Sequence, residues 1–327
     1  MTASPFFTEL IGHKQAQERL AHALSMGMLS SSLLIAGSPG IGKALLAQKL
    51  ACAILSCKMP FDSGNTKDSL YCAADVVRLA QEGTHPDLGI SSGYQEGSSV
   101  EHVRNVLGKI YRKPILARSK VIIFEDVDLF NRNAANALLK TLEEPPSDTF
   151  IILTSSRPER LLQTVRSRCL LTQLAPLSAT EMECVLEQYK IALPKALIPL
   201  CEGSPGKAFM VQERAELYPR FLHSLRAAES NSFEPAQAFV EEENIWPIFC
   251  WFTLYVLHQA ACVDAAIQED AALVNPFQDK GVSCVRMATL WQEVIYKITQ
   301  TDRLNLDKKA VMLWFFCYVK DVLHGEF

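Results

Sequence analysis

A short apolar run, a glycine-rich turn and a helical pattern follow one another directly in this chain. The run Leu-Leu-Ile-Ala occupies residues 33–36, and Gly-Ser-Pro-Gly-Ile-Gly-Lys follows at 37–43. Behind the turn, apolar residues recur at helical spacing at Leu46, Leu50 and Ile54. A fully apolar run of this length is typical of a strand buried in a parallel sheet. The order of strand, turn and helix therefore predicts an α/β fold with an anion-binding helix N-terminus.

The turn is a phosphate-binding loop, or P-loop, in all but its last position. Gly37, Gly40 and Gly42 allow the backbone to approach a phosphate closely, and Lys43 adds an ammonium group. These four residues, together with Thr154 further along the chain, are the predicted nucleotide-binding residues. The next residue is Ala44, whereas a P-loop has Ser or Thr there because that hydroxyl ligates the Mg²⁺ of the nucleotide. The sequence thus favours weak ATP binding and disfavours a Mg²⁺ site.

Two further apolar runs predict strands of the same sheet. The run at residues 121–124 is followed directly by Glu125 and Asp126, and the run at residues 150–153 is followed by Thr154. Strands that alternate with helices in this order predict a doubly wound parallel sheet. The hydroxyl of Thr154 is expected either to orient water near a γ-phosphate or to cap the next helix.

Glu125 and Asp126 are the candidate catalytic acids. Acids at this end of a strand in a P-loop protein hold Mg²⁺ through water and activate the attacking water. The common order is Asp followed by Glu, and the reversed order here puts the shorter side chain where water would be polarised. A methylene matters because catalytic groups must be placed within about 0.5 Å.

Composition excludes several broad classes of protein. A chain of 327 residues is long enough for two or three domains, and its net charge of −4 does not predict a general nucleic-acid-binding surface. The longest apolar segments, 245–257 and 310–319, are shorter than the roughly 18–20 residues of a membrane span. No secretory signal is visible in residues 1–9, and the ten scattered cysteines favour reduced thiols. We therefore expect a cytoplasmic protein without a membrane partner.

Four segments resemble a known family. They are residues 83–87 (GTHPD), 136–146 (NALLKTLEEPP), 157–162 (RPERLL) and 167–169 (SRC). In this order they resemble bacterial DNA polymerase III clamp-loader subunits, which are AAA+ proteins, with δ′ (delta prime) as the closest match and γ/τ (DnaX) second. The resemblance is good over about the first 210 residues. It implies an AAA+ domain, a small helical lid and a helical collar domain that packs subunits into a ring.

The resemblance also implies roles for individual residues. Arg168 matches the arginine finger that a clamp-loader subunit presents in trans to the ATP of its neighbour. Gly206 stands where active subunits carry a lid arginine that contacts the bound nucleotide. Together with Ala44 and the shortened acid at Asp126, this change argues against ATP hydrolysis by the chain itself. The alternative is a γ/τ-type subunit that hydrolyses ATP, with water replacing the missing ligand.

Zinc is not expected, although the family carries a zinc module. Near the usual place only Cys72 is present, and Tyr71, Ala74 and Val77 hold the family's other cysteine positions. A structural zinc site needs four ligands.

The resemblance further predicts domains and partners. The domains are expected at residues 1–172 (AAA+), 173–211 (lid) and 212–327 (collar). The partners would be the δ and γ/τ subunits, the sliding clamp and, through the assembled complex, primed DNA. The chain would then be part of the DNA polymerase III holoenzyme, a nucleotidyltransferase, with absent or weak ATPase activity of its own.

Overall fold

The structure is a computed structural model of the chain. It describes residues 10–57, 70, 72–92, 100–108, 110–193, 198, 201–261 and 284–324. Within these residues the chain separates into two compact units: Met1–Lys190 with Gly203–Gly206, and Ile191–Glu202 with Lys207–Phe327. No helix in the described ranges is long and apolar enough to cross a membrane.

Five strands form one parallel sheet in the first unit. They are β1 (Ser32–Ala36), β2 (Leu88–Ser92), β3 (Lys120–Glu125), β4 (Thr149–Ser155) and β5 (Leu170–Gln173). The strand order is β2-β3-β4-β1-β5, and all neighbouring strands are parallel. Because parallel strands end at the same edge of a sheet, the P-loop after β1 lies on the edge where β3 and β4 end. The predicted doubly wound parallel sheet, with the P-loop directly after one of its strands, is confirmed.

Helices connect the strands and make up the second unit. In the first unit they are α1 (Lys14–Ser25), α2 (Lys43–Ser56), α3 (Ala74–Gln81), α4 (Val100–Gly108), α5 (Arg132–Glu143), α6 (Gln163–Arg166) and α7 (Ala179–Gln188). The others are α8 (Pro205–Glu213), α9 (Leu217–Glu229), α10 (Glu234–Val240), α11 (Trp246–Ala261), α12 (Cys284–Leu304) and α13 (Lys308–His324).

The sheet is covered by apolar side chains on both faces. Side chains alternate along a strand, so Leu33 and Ile35 of β1 join one core cluster with Leu50 of α2. Leu34, between them, joins the opposite cluster with Leu138 of α5. Both faces of β1 are therefore buried, which is why this strand is apolar throughout.

Two helices begin at local sequence signals. Ser178 caps α7: its hydroxyl accepts the backbone N–H of Glu181, and the Glu181 carboxylate accepts the backbone N–H of Ser178. Helix α8 begins at Pro205, where a missing N–H and a fixed φ are favourable.

An aromatic cluster forms the core of the second unit. The ring of Phe221 lies 5.6 to 6.3 Å, between centroids, from five other rings, those of Phe239, Phe249, Phe252, Phe315 and Phe316. Tilted, edge-to-face and stacked aromatic pairs of this kind stabilise a helical core beyond the effect of the area buried.

Candidate nucleotide site and interface arginine

The P-loop has the backbone conformation that its glycines allow. Gly40 and Gly42 have φ values of 76° and 102°, in the left-handed region that other residues rarely adopt. Gly42 is the N-cap of α2, which starts at Lys43. Gly37 leaves β1 and donates its N–H to the carbonyl of Ser155 at 3.2 Å. All four predicted nucleotide-binding residues of the loop therefore lie together at the N-terminus of a helix, where backbone N–H groups and the helix dipole favour an anion.

The ammonium group of Lys43 makes three hydrogen bonds within the chain. Its Nζ donates to the carbonyls of Gly37 and Ser38, both at 3.0 Å, and to Oγ of Ser156 at 2.9 Å. A lysine ammonium has three hydrogens. All three are used, so a phosphate must displace at least one of these acceptors to bind Lys43 directly.

Burial and nearby carboxylates have opposite effects on the pKa of Lys43. Its side chain is buried, and burial lowers its pKa, because a charged ammonium loses hydration inside the protein. The charges of Asp126 and Asp128 oppose this effect.

Glu125 and Asp126 lie at the end of β3, as predicted, and both make hydrogen bonds with other residues of the chain. Oε1 of Glu125 accepts a hydrogen bond from the Gln48 side chain at 3.2 Å. The backbone N–H of Asp126 donates to the Thr154 hydroxyl at 3.0 Å, and Asp126 itself has φ of 50°. Burial raises the pKa of both carboxyl groups. Thr154 thus joins the ends of β3 and β4, a role that the sequence did not indicate.

A third acid, Asp128, has contacts that the sequence reasoning missed. Its Oδ1 accepts the hydroxyl of Ser155 at 2.8 Å and the backbone N–H of Ser156 at 3.0 Å. It therefore holds the residue whose hydroxyl accepts from Lys43. The available signal was the run of acids after β3, of which Asp128 is the third.

The residues of this edge fit a phosphate group better than they fit Mg²⁺. The backbone and Lys43 provide the groups that bind phosphate, but Ala44 supplies no oxygen ligand, and Glu125 is hydrogen-bonded to Gln48. In the described part of the chain, no group of three or more His, Cys, Asp or Glu residues is arranged to hold a metal ion.

Gly206 packs directly on the P-loop. Its N–H donates to the carbonyl of Gly40 at 2.9 Å, and the Ser204 hydroxyl donates to the carbonyl of Pro39 at 2.8 Å. A Cβ atom at position 206 would lie 2.6 Å from the Cα atom of Gly40. Position 206 therefore requires glycine as long as this contact is kept, so the lid arginine of active subunits does not fit here.

We expect Gly206→Ala to loosen this contact. Forcing an extra carbon against backbone atoms costs about 1–3 kcal/mol. The urea midpoint should fall, and hydrogen exchange of the peptide covering 37–43 should increase. Gly108→Ala is the matched control, because a Cβ at Gly108 meets nothing within 4 Å. Equal exchange in the two variants would contradict the steric argument.

Arg168 lies between α6 and the edge strand β5, and its side chain is one-third exposed. Its Nη2 forms an ion pair with Oε1 of Glu143 at 2.7 Å. Its Nη1 donates to the carbonyl of Thr164 at 2.9 Å and to Oγ of Ser167 at 3.4 Å. These contacts all involve α5, α6 and the turn after α6, and Arg168 is not brought together with the P-loop residues that the sequence also singled out.

Most of the first unit matches the model of a known protein family. Residues 12–178, slightly more than half of the chain, match the family model described as DNA polymerase III, delta subunit. The chain belongs to this family. The match includes the P-loop, the strand ends at Glu125 and Thr154, and Arg168.

Individual relatives agree with this family. The chain is 38% identical over 198 residues to the DNA polymerase III subunit delta' of Escherichia coli (strain K12), with 58% of this chain and 57% of that protein covered. It is 36% identical over 181 residues to the delta' subunit of Pseudomonas aeruginosa, covering 53% and 52%. It is 32% identical over 173 residues to the gamma subunit of Buchnera aphidicola (subsp. Acyrthosiphon pisum), covering 53% and 46%. The chain thus spans about half the length of these relatives.

Among solved structures, a DNA polymerase III gamma subunit-related protein of Thermotoga maritima aligns with 94% of this chain and 99% of its own. The sequence identity is 15%, and the TM-score is 0.46.

Proposed function

We propose that the chain is a δ′-type clamp-loader subunit of DNA polymerase III. It would scaffold the complex that loads the sliding clamp on primed DNA, and it would present Arg168 to the ATP of a neighbouring subunit. The observation that carries this proposal is a contrast within one domain. Arg168 is partly exposed beside an edge strand, whereas the chain's own nucleotide site has lost its metal ligand and its place for a lid arginine.

The exposed surface around Arg168 supports a role at a subunit interface. Two apolar residues of β5 that lie close to Arg168 in the sequence, Leu170 and Leu171, are 52% and 51% exposed. Apolar side chains beside an exposed edge strand are typical of surfaces that bind another protein. A guanidinium group delivered from such a surface neutralises charge that develops on a γ-phosphate during transfer.

The nucleotide site of the chain supports weak binding with little or no hydrolysis. Lys43 already uses its three hydrogens within the chain, and Ala44 cannot hold Mg²⁺. Gly206 excludes an arginine from the lid position. When bound, ATP would rest on the P-loop backbone, and the chain's residues would hold its phosphates without positioning an attacking water.

The proposal includes the domain division predicted from the sequence, with the AAA+ domain at 1–172, the lid at 173–211 and the collar at 212–327. It also includes the predicted partners, δ, γ/τ, the clamp and primed DNA, and a location in the cytoplasm. The absence of zinc stays part of the same prediction.

One observation favours a second candidate, a γ/τ-type ATPase. The left-handed glycines, Lys43 and the acids after β3 still lie at one edge of the sheet. Water in place of the Ala44 ligand would then complete the metal site.

Steady-state ATPase and nucleotide titration of the purified chain separate the two candidates. For a δ′-type subunit we expect weak binding of a fluorescent ATP analogue with little dependence on Mg²⁺, and turnover far below the roughly 1 s⁻¹ at the low end of ordinary enzyme rates. Turnover near that value that is abolished by Lys43→Ala would favour the γ/τ-type ATPase. Mixing the chain with δ and γ/τ subunits should give a stable complex with DNA-stimulated ATPase activity. Failure to assemble would overturn the clamp-loader proposal.

A further inference from the structure

The guanidinium group of Arg168 is held at two sides by its own chain. Glu143 binds Nη2 at 2.7 Å, and the carbonyl of Thr164 accepts from Nη1 at 2.9 Å. Ser167 accepts a longer hydrogen bond from Nη1, at 3.4 Å. Arginine has five N–H donors, so these contacts leave two for another acceptor. These two donors, on Nε and Nη2, are available to the oxygens of a phosphate, which arginine binds through charge-assisted hydrogen bonds.

The two main partners of Arg168 are fixed relative to each other by a shared core. Glu143 is the last residue of α5, and Thr164 lies in α6. Val165, next to Thr164, is 2% exposed and belongs to the same apolar cluster as Leu138 and Leu142 of α5. The end of α5 and helix α6 are therefore packed against each other, and Arg168 is bonded to both: to Glu143 of α5 and to Thr164 of α6.

The alternative is an ordinary surface ion pair. The Glu143 side chain is 50% exposed, and a pair this exposed contributes little to folding stability. A small effect on stability does not make the contact unimportant for the direction of the guanidinium group. A free arginine side chain samples many rotamers, and misplacement of a reacting group by about 1 Å can cost as much as 10²-fold in rate.

We propose that Glu143 is a positioning residue for Arg168: its carboxylate holds the guanidinium group in the orientation in which it meets the phosphate of the neighbouring subunit. This inference rests on the proposed function of Arg168 in trans. Glu143 itself does not touch the nucleotide. It acts through the arginine, so its effect must disappear when the arginine is removed.

The experiment uses the complex reconstituted with δ and γ/τ subunits, and it follows single-turnover hydrolysis of bound ATP. The site that faces this chain then contributes one fraction of the hydrolysed ATP. We expect Glu143→Ala to slow that fraction about tenfold, with assembly unchanged. Glu143→Gln should have a smaller effect, because its amide oxygen still accepts a hydrogen bond from Nη2.

Glu144→Ala is the matched control. It removes an adjacent exposed carboxylate that does not pair with Arg168, and it changes the net charge by the same amount. A rate in Glu144→Ala equal to that in Glu143→Ala would overturn the inference, because the effect would then come from charge alone.

A double-mutant cycle distinguishes positioning from a general structural role. In the background of Arg168→Ala, we expect Glu143→Ala to cause no further loss. A further tenfold loss there would overturn the positioning role. If Arg168→Ala slows hydrolysis but Glu143→Ala does not, the positioning role fails and the proposed function stands. If Arg168→Ala itself changes nothing, the proposed function fails.

Discussion

Arg168→Ala should abolish fast ATP hydrolysis at the neighbouring site that this chain faces. An arginine finger stabilises the charge of the transition state and contributes about 10³–10⁵ in rate. We expect the corresponding fraction of ATP in a single-turnover experiment on the assembled complex to remain unhydrolysed on the time scale of the other sites. Assembly should be unaffected, because the Arg168 side chain lies on the surface and its removal leaves no buried cavity.

Two further variants sharpen this prediction. Arg168→Lys keeps the charge but not the planar fork, so we expect only a small part of the rate to return. Arg166→Ala removes an exposed arginine two residues away, at the end of α6, and should leave hydrolysis unchanged. If Arg166→Ala and Arg168→Ala lower the rate equally, the arginine of the SRC segment has no special role.

Much of the fold could be predicted from the sequence because its signals are local. The apolar runs at 33–36, 121–124 and 150–153 each fill a strand buried on both faces, and all three lie within parallel strands of the sheet. The P-loop glycines stand at positions with left-handed backbone angles, where glycine is strongly favoured. Patterns of this kind fix the type of each element and the edge at which strand ends meet.

The contacts that decide how the site works could not be predicted, because they join residues far apart in the sequence. Lys43 donates to Ser156, 113 residues away. Gly206 packs on Gly40, and its glycine is explained by this contact rather than by any local turn. Whether an ammonium group is free or already hydrogen-bonded depends on side-chain positions across three strand ends, on which a one-dimensional pattern carries no information.

The candidate site therefore has two parts, the P-loop region and Arg168, which differ in whether they keep the features that ATP hydrolysis requires. The cis site keeps the backbone of a P-loop, but its lysine and its first acid are hydrogen-bonded to other side chains of the chain: Lys43 donates to Ser156, and Glu125 accepts from Gln48. Arg168, which we propose acts in trans, has a partly exposed side chain that is paired with Glu143. Ala44 belongs to the first part alone, so variants of the P-loop and variants of Arg168 test different parts of the proposed function.

Asp87→Ala should be strongly destabilising, although the residue is far from any proposed chemistry. The Asp87 side chain is buried, and its carboxylate accepts the backbone N–H groups of Ile115, Leu116 and Ala117 at 2.7, 2.7 and 2.8 Å. Alanine leaves these donors without their acceptor, and each hydrogen bond to a charged group contributes about 1.5–3 kcal/mol. We expect a loss of about 3 kcal/mol or more, measured as a shift of the urea midpoint. Asp75→Ala, an exposed acid in the first turn of α3, should have little effect.

The same carboxylate predicts how stability depends on pH. Burial alone would raise the pKa of Asp87. The hydrogen bonds from the three backbone N–H groups together lower the pKa by more than burial raises it, so the folded-state pKa lies below the ordinary value. A lowered pKa means that the carboxylate stabilises the fold fully above its unfolded-state pKa, which is about 3.9, and that this contribution is lost as the pH falls towards the folded-state pKa. The urea midpoint of the natural chain should therefore fall steeply below about pH 4. In Asp87→Asn, which cannot titrate, the midpoint should start lower at neutral pH and fall less steeply in acid. Parallel curves for the two proteins would show that the Asp87 carboxylate does not stabilise the loop at 115–117.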